Sequence, residues 1–324
     1  MRAIRFHQTG GPEVLKLEEV EAPAPKPGSV LVAVKAIGVN FADVHFRKGD
    51  YFVKPVFPQI AGMEASGEVV AVGEGVTGFR AGDRVMALGA NAYAETMLAK
   101  AEHVFPMPAG LSYEDAASLP VQGLTAMHCL GLLGRLEAGQ KVLVHAAAGG
   151  VGTLAVQLAK RKGASFVAGT VGSAEKVGLV RDLGADLVVD TSKDDFVQAV
   201  KGAARGGVDV VLEMIGGTEI YKRNLACMAP LGRMVVFGAA SGQLRGTLEP
   251  VGLMGKNLTV VGYYLTAMLD RPELCAPALA ELARYVVEGS VRVVRARTYA
   301  LAEAAEAHRA VESRGSVGKI VLIP

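Results

Sequence analysis

The stretch Gly139–Lys160, GQKVLVHAAAGGVGTLAVQLAK, decides the fold of this chain. Lys141 to Ala147 accumulate apolar β formers, Gly149, Gly150 and Gly152 allow a tight turn around Val151, and Thr153 to Lys162 repeat helically through Leu154, Val156, Leu158 and Ala159. A strand that runs through glycines into a helix aims first-turn N–H groups and the positive end of the helix dipole at whatever lies over the turn. The glycines remove the side chains that would hold it away. The pattern predicts a pyrophosphate cradle for a dinucleotide, although the same residues also suit a plain strand-to-helix turn.

The alternation continues downstream. Strand signals fall at Phe166 to Val171, Leu187 to Asp190, Val208 to Ile215, Arg233 to Gly238 and Leu258 to Tyr264, with helical ones at Ala174 to Leu183 and Phe196 to Ala204. Short continuous apolar runs suit strands covered on both faces, so the segment reads as a doubly wound, six-stranded parallel sheet. Leu258 to Tyr264 would be its edge, and an open apolar edge invites pairing with another chain.

A chain of 324 residues exceeds what one core usually serves. Upstream, short strands are expected at Arg2 to Phe6, Leu15 to Val20, Val30 to Val39, Ala65 to Val72, Arg84 to Ala87 and Ala92 to Leu98. Turn signals such as Thr9-Gly10-Gly11-Pro12 and Ala81-Gly82-Asp83 separate them, which fits an antiparallel, barrel-like domain. The tail reads as a helix over Glu273 to Val287, strands at Arg292 to Tyr299 and Lys319 to Ile323, and a helix over Leu301 to Ser313. It is expected to return to the first domain. The division is therefore 1–123 with 265–324 as one domain, and 124–264 as the dinucleotide-binding one.

Net charge is +2 and charged residues make up 20% of the chain, dispersed along it, so no footprint for nucleic acid stands out. Lys160-Arg161-Lys162 is the densest basic cluster, and a helix C-terminus accounts for it. No run is long enough for a membrane span, and Met1 opens onto a strand instead of a signal peptide, so a cytoplasmic location is expected. Cys129, Cys227 and Cys275 are widely spaced in apolar contexts and read as reduced, buried thiols.

GVNFADVHFRKGDY (Gly38 to Tyr51), PQIAGMEASGEVVAVGEGV (Pro58 to Val76), FRAGDRV (Phe79 to Val85) and HAAAGGVG (His145 to Gly152) together resemble the medium-chain dehydrogenase/reductase superfamily. The resemblance is to its zinc-independent, zeta-crystallin-like quinone oxidoreductase branch, and it extends to the closing ESRGSVGKIVLIP (Glu312 to Pro324). It implies an α/β protein: a GroES-like β-barrel catalytic domain plus a Rossmann domain. It also implies a homodimer joined through the edge strand 258–264, with a tetramer of two dimers left open.

Metal is the fork between this branch and the zinc alcohol dehydrogenases. A catalytic zinc needs about three N, S or O ligands and a structural zinc four. Where the zinc enzymes place a ligating cysteine this chain has Asn40, and where they place a histidine it has Met63. No cysteine precedes Cys129, and Glu64 alone does not hold zinc. No metal site is expected. Without a Lewis acid to stabilise an alkoxide, reduction of an electron-poor acceptor is the easier chemistry.

Cofactor choice is read about 20 positions beyond the glycines, where NAD enzymes offer a carboxylate to the ribose diol. This chain offers Gly172, Ser173 and Lys176, a small residue, a hydroxyl and an ammonium that suit a 2′-phosphate. NADPH is the expected cofactor; the other reading makes Ser173 a helix cap and Lys176 a solvated residue. By resemblance Arg314 also reaches the 2′-phosphate, Thr191 stands where relatives often carry a tyrosine, Asn40 and Thr125 contact the nicotinamide end, and the backbone around Phe237 and Gly238 lines it. Asn40 could instead satisfy backbone groups at its strand end, Thr125 could cap a helix beginning near Ala126, and Asp43 is placed to brace the loop.

On the acceptor side, His45 stands where several relatives carry a tyrosine, and Tyr51 follows the turn Lys48-Gly49-Asp50. Either can donate a proton or a hydrogen bond to a carbonyl, and His45 beside Val44 and Phe46 can equally be a packed residue. His145 reads as packing, and His128 with Cys129 as part of a linking helix. The implied substrate is a quinone or another conjugated carbonyl. Reduction of an enone, enal or enoyl thioester double bond is the enzymatic alternative, and a non-catalytic NADPH- or RNA-binding protein is the alternative from another class. The acceptor pocket would depend on the loops around Tyr51, Ser241 to Val251 and Tyr263 to Leu269.

Overall fold

The computed structural model describes residues 1–243 and 246–324; Leu244 and Arg245, within the Ser241–Val251 loop, lie outside them. In chain order the elements are β1 (Arg2–Phe6), β2 (Lys16–Glu19), β3 (Ser29–Val39), α1 (Phe41–Lys48), β4 (Gln59–Ile60), β5 (Glu64–Val72), β6 (Arg84–Leu88), β7 (Thr96–Lys100), β8 (Val104–Pro106), α2 (Tyr113–Ala116) and α3 (Pro120–Met127). Then come β9 (Lys141–Val144), α4 (Gly150–Arg161), β10 (Phe166–Val171), α5 (Val177–Asp182), β11 (Leu187–Asp190), α6 (Phe196–Ala203), β12 (Val208–Glu213), α7 (Thr218–Cys227), β13 (Met228–Val236), α8 (Val251–Met254) and β14 (Thr259–Gly262). The chain closes with α9 (Leu265–Met268), α10 (Pro272–Val287), β15 (Arg295–Ala300), α11 (Ala304–Glu312) and β16 (Lys319–Ile323). They form two compact units, Met1–Leu124 with Met268–Pro324, and Thr125–Ala267.

The second unit is built on one parallel sheet in the order β11-β10-β9-β12-β13-β14. Its strands are apolar because helices cover both faces. Leu143, Ala168 and Val211 of the sheet pack with Phe196, Val197 and Val200 in one core cluster. The expected six strands are all present, with β14 at the edge; four end earlier than expected, two of them for evident local reasons. The first stops at Val144, because Ala146 turns the backbone to φ 46°. The fourth stops at Glu213, whose carboxylate folds back to accept the N–H groups of Ile215 and Gly216. The helix expected from Thr153 begins at Gly150, so the glycines form its first turn.

The first unit holds a seven-stranded sheet in the order β15-β16-β3-β5-β6-β8, with β7 also on β3, and a three-stranded sheet β2-β1-β4. Ile4, Phe6, Val32 and Met97 share its core with Leu301, Ala304 and Ala307 of the tail, and β16 pairs antiparallel with β3. The strands of the first 120 residues pair antiparallel, as expected, and the tail adds one exception. β15 and β16 are parallel, because the chain crosses from one to the other through α11. The strand expected over Ala92 to Leu98 lies later, at Thr96–Lys100. Tyr93 instead bridges two partners, its O accepting from Ile4 N–H at 2.8 Å and its N–H donating to Ala61 O at 2.9 Å. No helix among the described residues is long and apolar enough to cross a membrane.

Candidate active site

The glycine turn forms where β9 runs out. Gly149 caps α4, Gly149 N–H donates to Ala146 O at 2.8 Å, and Thr153 N–H donates to Gly149 O at 2.9 Å. The N–H groups of Gly150, Val151 and Gly152 make up the helix's first turn and point out of its N-terminus. Gly152 is required by packing: a Cβ there would lie 2.4 Å from Ala146 O and 2.7 Å from Ala147 Cα. The helix start therefore sits directly on the turn, leaving the cradle's open side to backbone donors.

At the end of β10, Gly172 has open space where a side chain would stand, and Ser173 precedes a 3₁₀ turn over Ala174–Lys176 without its hydroxyl capping it. Burial, partly offset by Glu175, pushes the Lys176 ammonium below its ordinary pKa. The loops after β12 and β13 are tied together, Phe237 N–H donating to Glu213 O at 2.9 Å, Ala240 N–H to Met214 O at 2.9 Å and Ser241 N–H to Ile215 O at 2.8 Å. A Cβ on Gly238 would meet Met214 O at 3.1 Å. Thr125 is buried within α3, which begins at Pro120, so it is an interior helix residue and not the cap of a helix starting near Ala126. Thr191 donates its hydroxyl to Val171 O at 3.0 Å.

The remaining candidates belong to the first unit. Asn40 stands at the N-terminus of α1, braced by Asp43, whose Oδ2 accepts the Asn40 N–H at 2.8 Å. The Asn40 amide is engaged at both ends: Nδ2 donates to Glu64 Oε1 at 2.7 Å, and Oδ1 accepts from Lys319 Nζ at 2.8 Å. Lys319 also donates to Glu64 Oε1, and Glu64 Oε2 accepts the Val121 N–H at 2.7 Å. This ion pair is wholly enclosed, and burial drives the Lys319 ammonium below its ordinary pKa against the pull of Glu64. Gly38 makes room for it, since a Cβ there would lie 2.3 Å from both Glu64 Oε1 and Ala117 O.

A second chain of contacts leads away from Asp43. Arg47 donates from one guanidinium nitrogen to His308 Nδ1 at 3.0 Å, leaving the ring proton on Nε2, which faces Tyr93 Oη at 3.1 Å. Tyr93 in turn donates to Asp43 Oδ2 at 3.2 Å. Burial pushes the Asp43 carboxyl up to about 7, and burial with the Arg47 charge pushes His308 down to about 3. His45 lies in the last turn of α1 with its ring edge-on to Phe41, and its O accepts the Asp50 N–H at 2.9 Å. Tyr51 follows directly, half-buried against Phe52. Arg314 takes a left-handed backbone, φ 56°, two residues past α11.

Sequence reading missed Lys319, Arg47, Tyr93 and His308, because their partners lie far away along the chain. It also missed α1, for which Asn40 and Asp43 three residues apart were an available start signal. Cys129, Cys227 and Cys275 are free and buried, as expected.

Comparison with known proteins assigns the architecture. Residues 26–109 match the family described as alcohol dehydrogenase GroES-like domain, and residues 150–284 match zinc-binding dehydrogenase. The chain is 37% identical to a quinone oxidoreductase of Pseudomonas aeruginosa, over 100% of this chain and 99% of that one. It is 33% identical to the human synaptic vesicle membrane protein VAT-1 homolog, over 100% of this chain and 86% of the relative. A solved Escherichia coli quinone oxidoreductase complexed with NADPH superposes with a TM-score of 0.94 at 35% identity, over 100% of both chains. A GroES-like unit and a doubly wound sheet with a glycine turn after its first strand define a medium-chain dehydrogenase/reductase. Within that superfamily the chain belongs to the quinone oxidoreductase branch.

Proposed function

We propose that this protein is an NADPH-dependent reductase of quinones or closely related conjugated carbonyls, acting without zinc or flavin. The observation that carries the reading is the Gly149–Gly152 turn, a backbone cradle packed so closely on Ala146 and Ala147 that Gly152 admits no side chain, in a chain that matches an NADPH-complexed quinone oxidoreductase end to end. NADPH supplies the hydride, and with one proton a quinone becomes a hydroquinone. The chain's own residues bind and orient: the first turn of α4 holds the pyrophosphate, and Gly172, Ser173, Lys176 and Arg314 hold the 2′-phosphate. Thr125, Phe237 and Gly238 line the nicotinamide end. Asn40 serves that end as the rigid start of α1, fixed by Glu64 and Lys319.

His45 and Tyr51 are the proposed donors to the acceptor carbonyl, carried on one short segment that closes with the Asp50-to-His45 backbone bond. Metal independence is supported by Glu64. It is the acidic residue at the positions where zinc relatives place ligands, and its two oxygens already serve Lys319, Asn40 and Val121.

A homodimer through the β14 edge belongs to the same reading. Leu231 in β13 and Val251 and Met254 in α8 are 68%, 76% and 71% exposed, and Leu231 N–H donates to Lys256 O at 2.8 Å, which ties β13, the neighbour of β14, to the segment after α8. The deciding experiment is NADPH and NADH oxidation by chelator-treated protein offered an ortho-quinone and an acyclic enone side by side. Fast NADPH turnover with the quinone is the expected result. Preference for the enone moves the protein to double-bond reduction, and no turnover with either overturns the reading.

A further inference from the structure

At the carboxyl end of the parallel sheet lies a buried polar chain that the glycine turn does not explain. His145 follows β9, Thr170 lies near the end of β10, Glu213 ends β12 and Asn224 comes from α7; all four are buried. Glu213 Oε1 accepts the N–H groups of Ile215 and Gly216, the latter at 2.8 Å, and its Oε2 accepts Asn224 Nδ2–H. A carboxylate only accepts, so the Asn224 amide is fixed with its NH₂ toward Glu213 and its Oδ1 toward His145. His145 Nε2 lies 2.7 Å from that oxygen and must carry the proton; Nδ1, 3.0 Å from Thr170 Oγ1, must accept. The ring is held edge-on against Phe196, centroids 5.0 Å apart, and its burial favours the neutral form.

The hydrogen bonds therefore run in one direction, Thr170 to His145 to Asn224 to Glu213. β9 and β12 are the strands where the sheet order reverses, which is where open α/β sheets bind their ligands. The relay ties together the three loops that leave the sheet there. Thr170 O also accepts the Ala147 N–H at 2.9 Å, joining the phosphate turn to β10 just before Gly172 and Ser173. At the other end, Glu213 sets the backbone of Ile215 and Gly216.

We propose that Thr170, His145, Asn224 and Glu213 form a directed relay that positions the phosphate turn, the 2′-phosphate turn and the loop after β12 for the dinucleotide, with Asn224 its central positioning residue. The proposal rests on the reading that NADPH binds here. Polarity makes it testable. In Glu213→Gln the carbonyl of the new amide must keep the two backbone N–H groups, so its NH₂ faces Asn224. Asn224 then flips, and the His145 proton moves from Nε2 to Nδ1 to donate to Thr170.

Long-range ¹H–¹⁵N correlation on the full chain without cofactor, with His145→Gln to assign the signals, reads the tautomer directly. The expected result is an Nε2–H ring in the wild type and an Nδ1–H ring in Glu213→Gln. The reversed relay keeps the other bonds, but the Thr170 hydroxyl no longer donates to His145, so NADPH binding should weaken by up to about tenfold in that variant, the scale of one lost supporting hydrogen bond. Thr170→Val should weaken NADPH binding similarly at unchanged melting temperature within a few degrees, and Thr170→Ser should restore it. An Nδ1–H ring in the wild type, no tautomer change in Glu213→Gln, or wild-type NADPH affinity in Thr170→Val each overturns the relay. Failure of the wild type to bind NADPH overturns the functional reading and the relay's cofactor role, while the tautomer still reports whether the relay itself exists.

Discussion

Each unit buries a chain of polar side chains, and the two chains are built on opposite principles. In the second unit Thr170, His145, Asn224 and Glu213 satisfy one another and two backbone N–H groups, with the histidine neutral and no lysine or arginine inside the chain of bonds. In the first unit Lys319 and Glu64 bury opposite full charges, and the Arg47–His308–Tyr93 chain ends on Asp43, whose Oδ1 is buried without a hydrogen-bond partner among the described residues. A relay whose one carboxylate accepts from three neutral donors fixes geometry without an ion pair. A buried charged network fixes geometry too, but its stability depends on every partner and on protonation.

Removing one charge tests that contrast hardest. Lys319→Met leaves Glu64 buried with its ammonium gone, and a loss of about 3–5 kcal/mol in urea unfolding is expected. The double variant Lys319→Met/Glu64→Gln removes both charges and should recover much of that loss. A single variant within about 1 kcal/mol of wild type would mean that the enclosed pair is not charged as its geometry demands.

Protonation is the next lever, and its two ends have opposite signs. Asp43 titrates near 7 when folded against an ordinary 3.8, so the folded state holds a proton that the unfolded chain has released. Its stabilisation is present below about pH 4 and is lost as pH rises toward 7, at about 1.4 kcal/mol per pH unit. His308 titrates near 3 when folded against 6.5, so the unfolded chain takes up the proton first. Its stabilisation is present above about pH 6.5 and is lost as pH falls toward 3, with the same slope. Between about pH 4 and 6.5 the two cancel in the wild type. Relative to wild type, Asp43→Asn should lose stability on acidification across that range, and His308→Gln should lose it as pH rises. Melting curves with slopes of one sign in both variants would show that the two groups do not titrate as a linked chain.

The same contrast explains what could be read in advance. The second unit announced itself because parallel strands covered on both faces are continuous apolar runs, and because Gly149, Gly150 and Gly152 sit next to one another in the chain. The first unit's network did not, since Asn40, Glu64 and Lys319 meet only after β3, β5 and β16 pair. A lysine in GKIVLIP or an arginine in HFRK reads as a surface residue by composition, and only the fold encloses it. Even in the second unit the reading reached the backbone cradle but not its support. His145 was visible as a packed residue, whereas Asn224 lies on α7, a largely polar helix whose buried residues are only Asn224 and Cys227.

Gly152→Ala probes the cradle itself. Its Cβ must displace Ala146 O, so stability should fall by about 1–3 kcal/mol and NADPH binding at least tenfold. Gly178→Ala, in α5 with open space at its Cβ, is the matched control and should stabilise by up to about 1 kcal/mol with NADPH binding unchanged. Equal NADPH affinity in the two variants would separate the turn from the cofactor.

The smallest effect concerns Lys176, the one charged side chain proposed for the cofactor on the second unit. It lies at the surface end of the turn after β10, where desolvation already works against its charge. A 2′-phosphate beside it would offset that cost, and the diol of NADH would not. Lys176→Ala should therefore raise the KM for NADPH several-fold while leaving that for NADH nearly unchanged, and the difference should shrink as salt is added, because a partly exposed charge is screened. The relay beneath the turn is fully buried and so shielded from salt, so a Lys176→Ala defect that persists undiminished in high salt, or that is equal for both cofactors, would transfer cofactor selectivity from this charge to the backbone the relay holds.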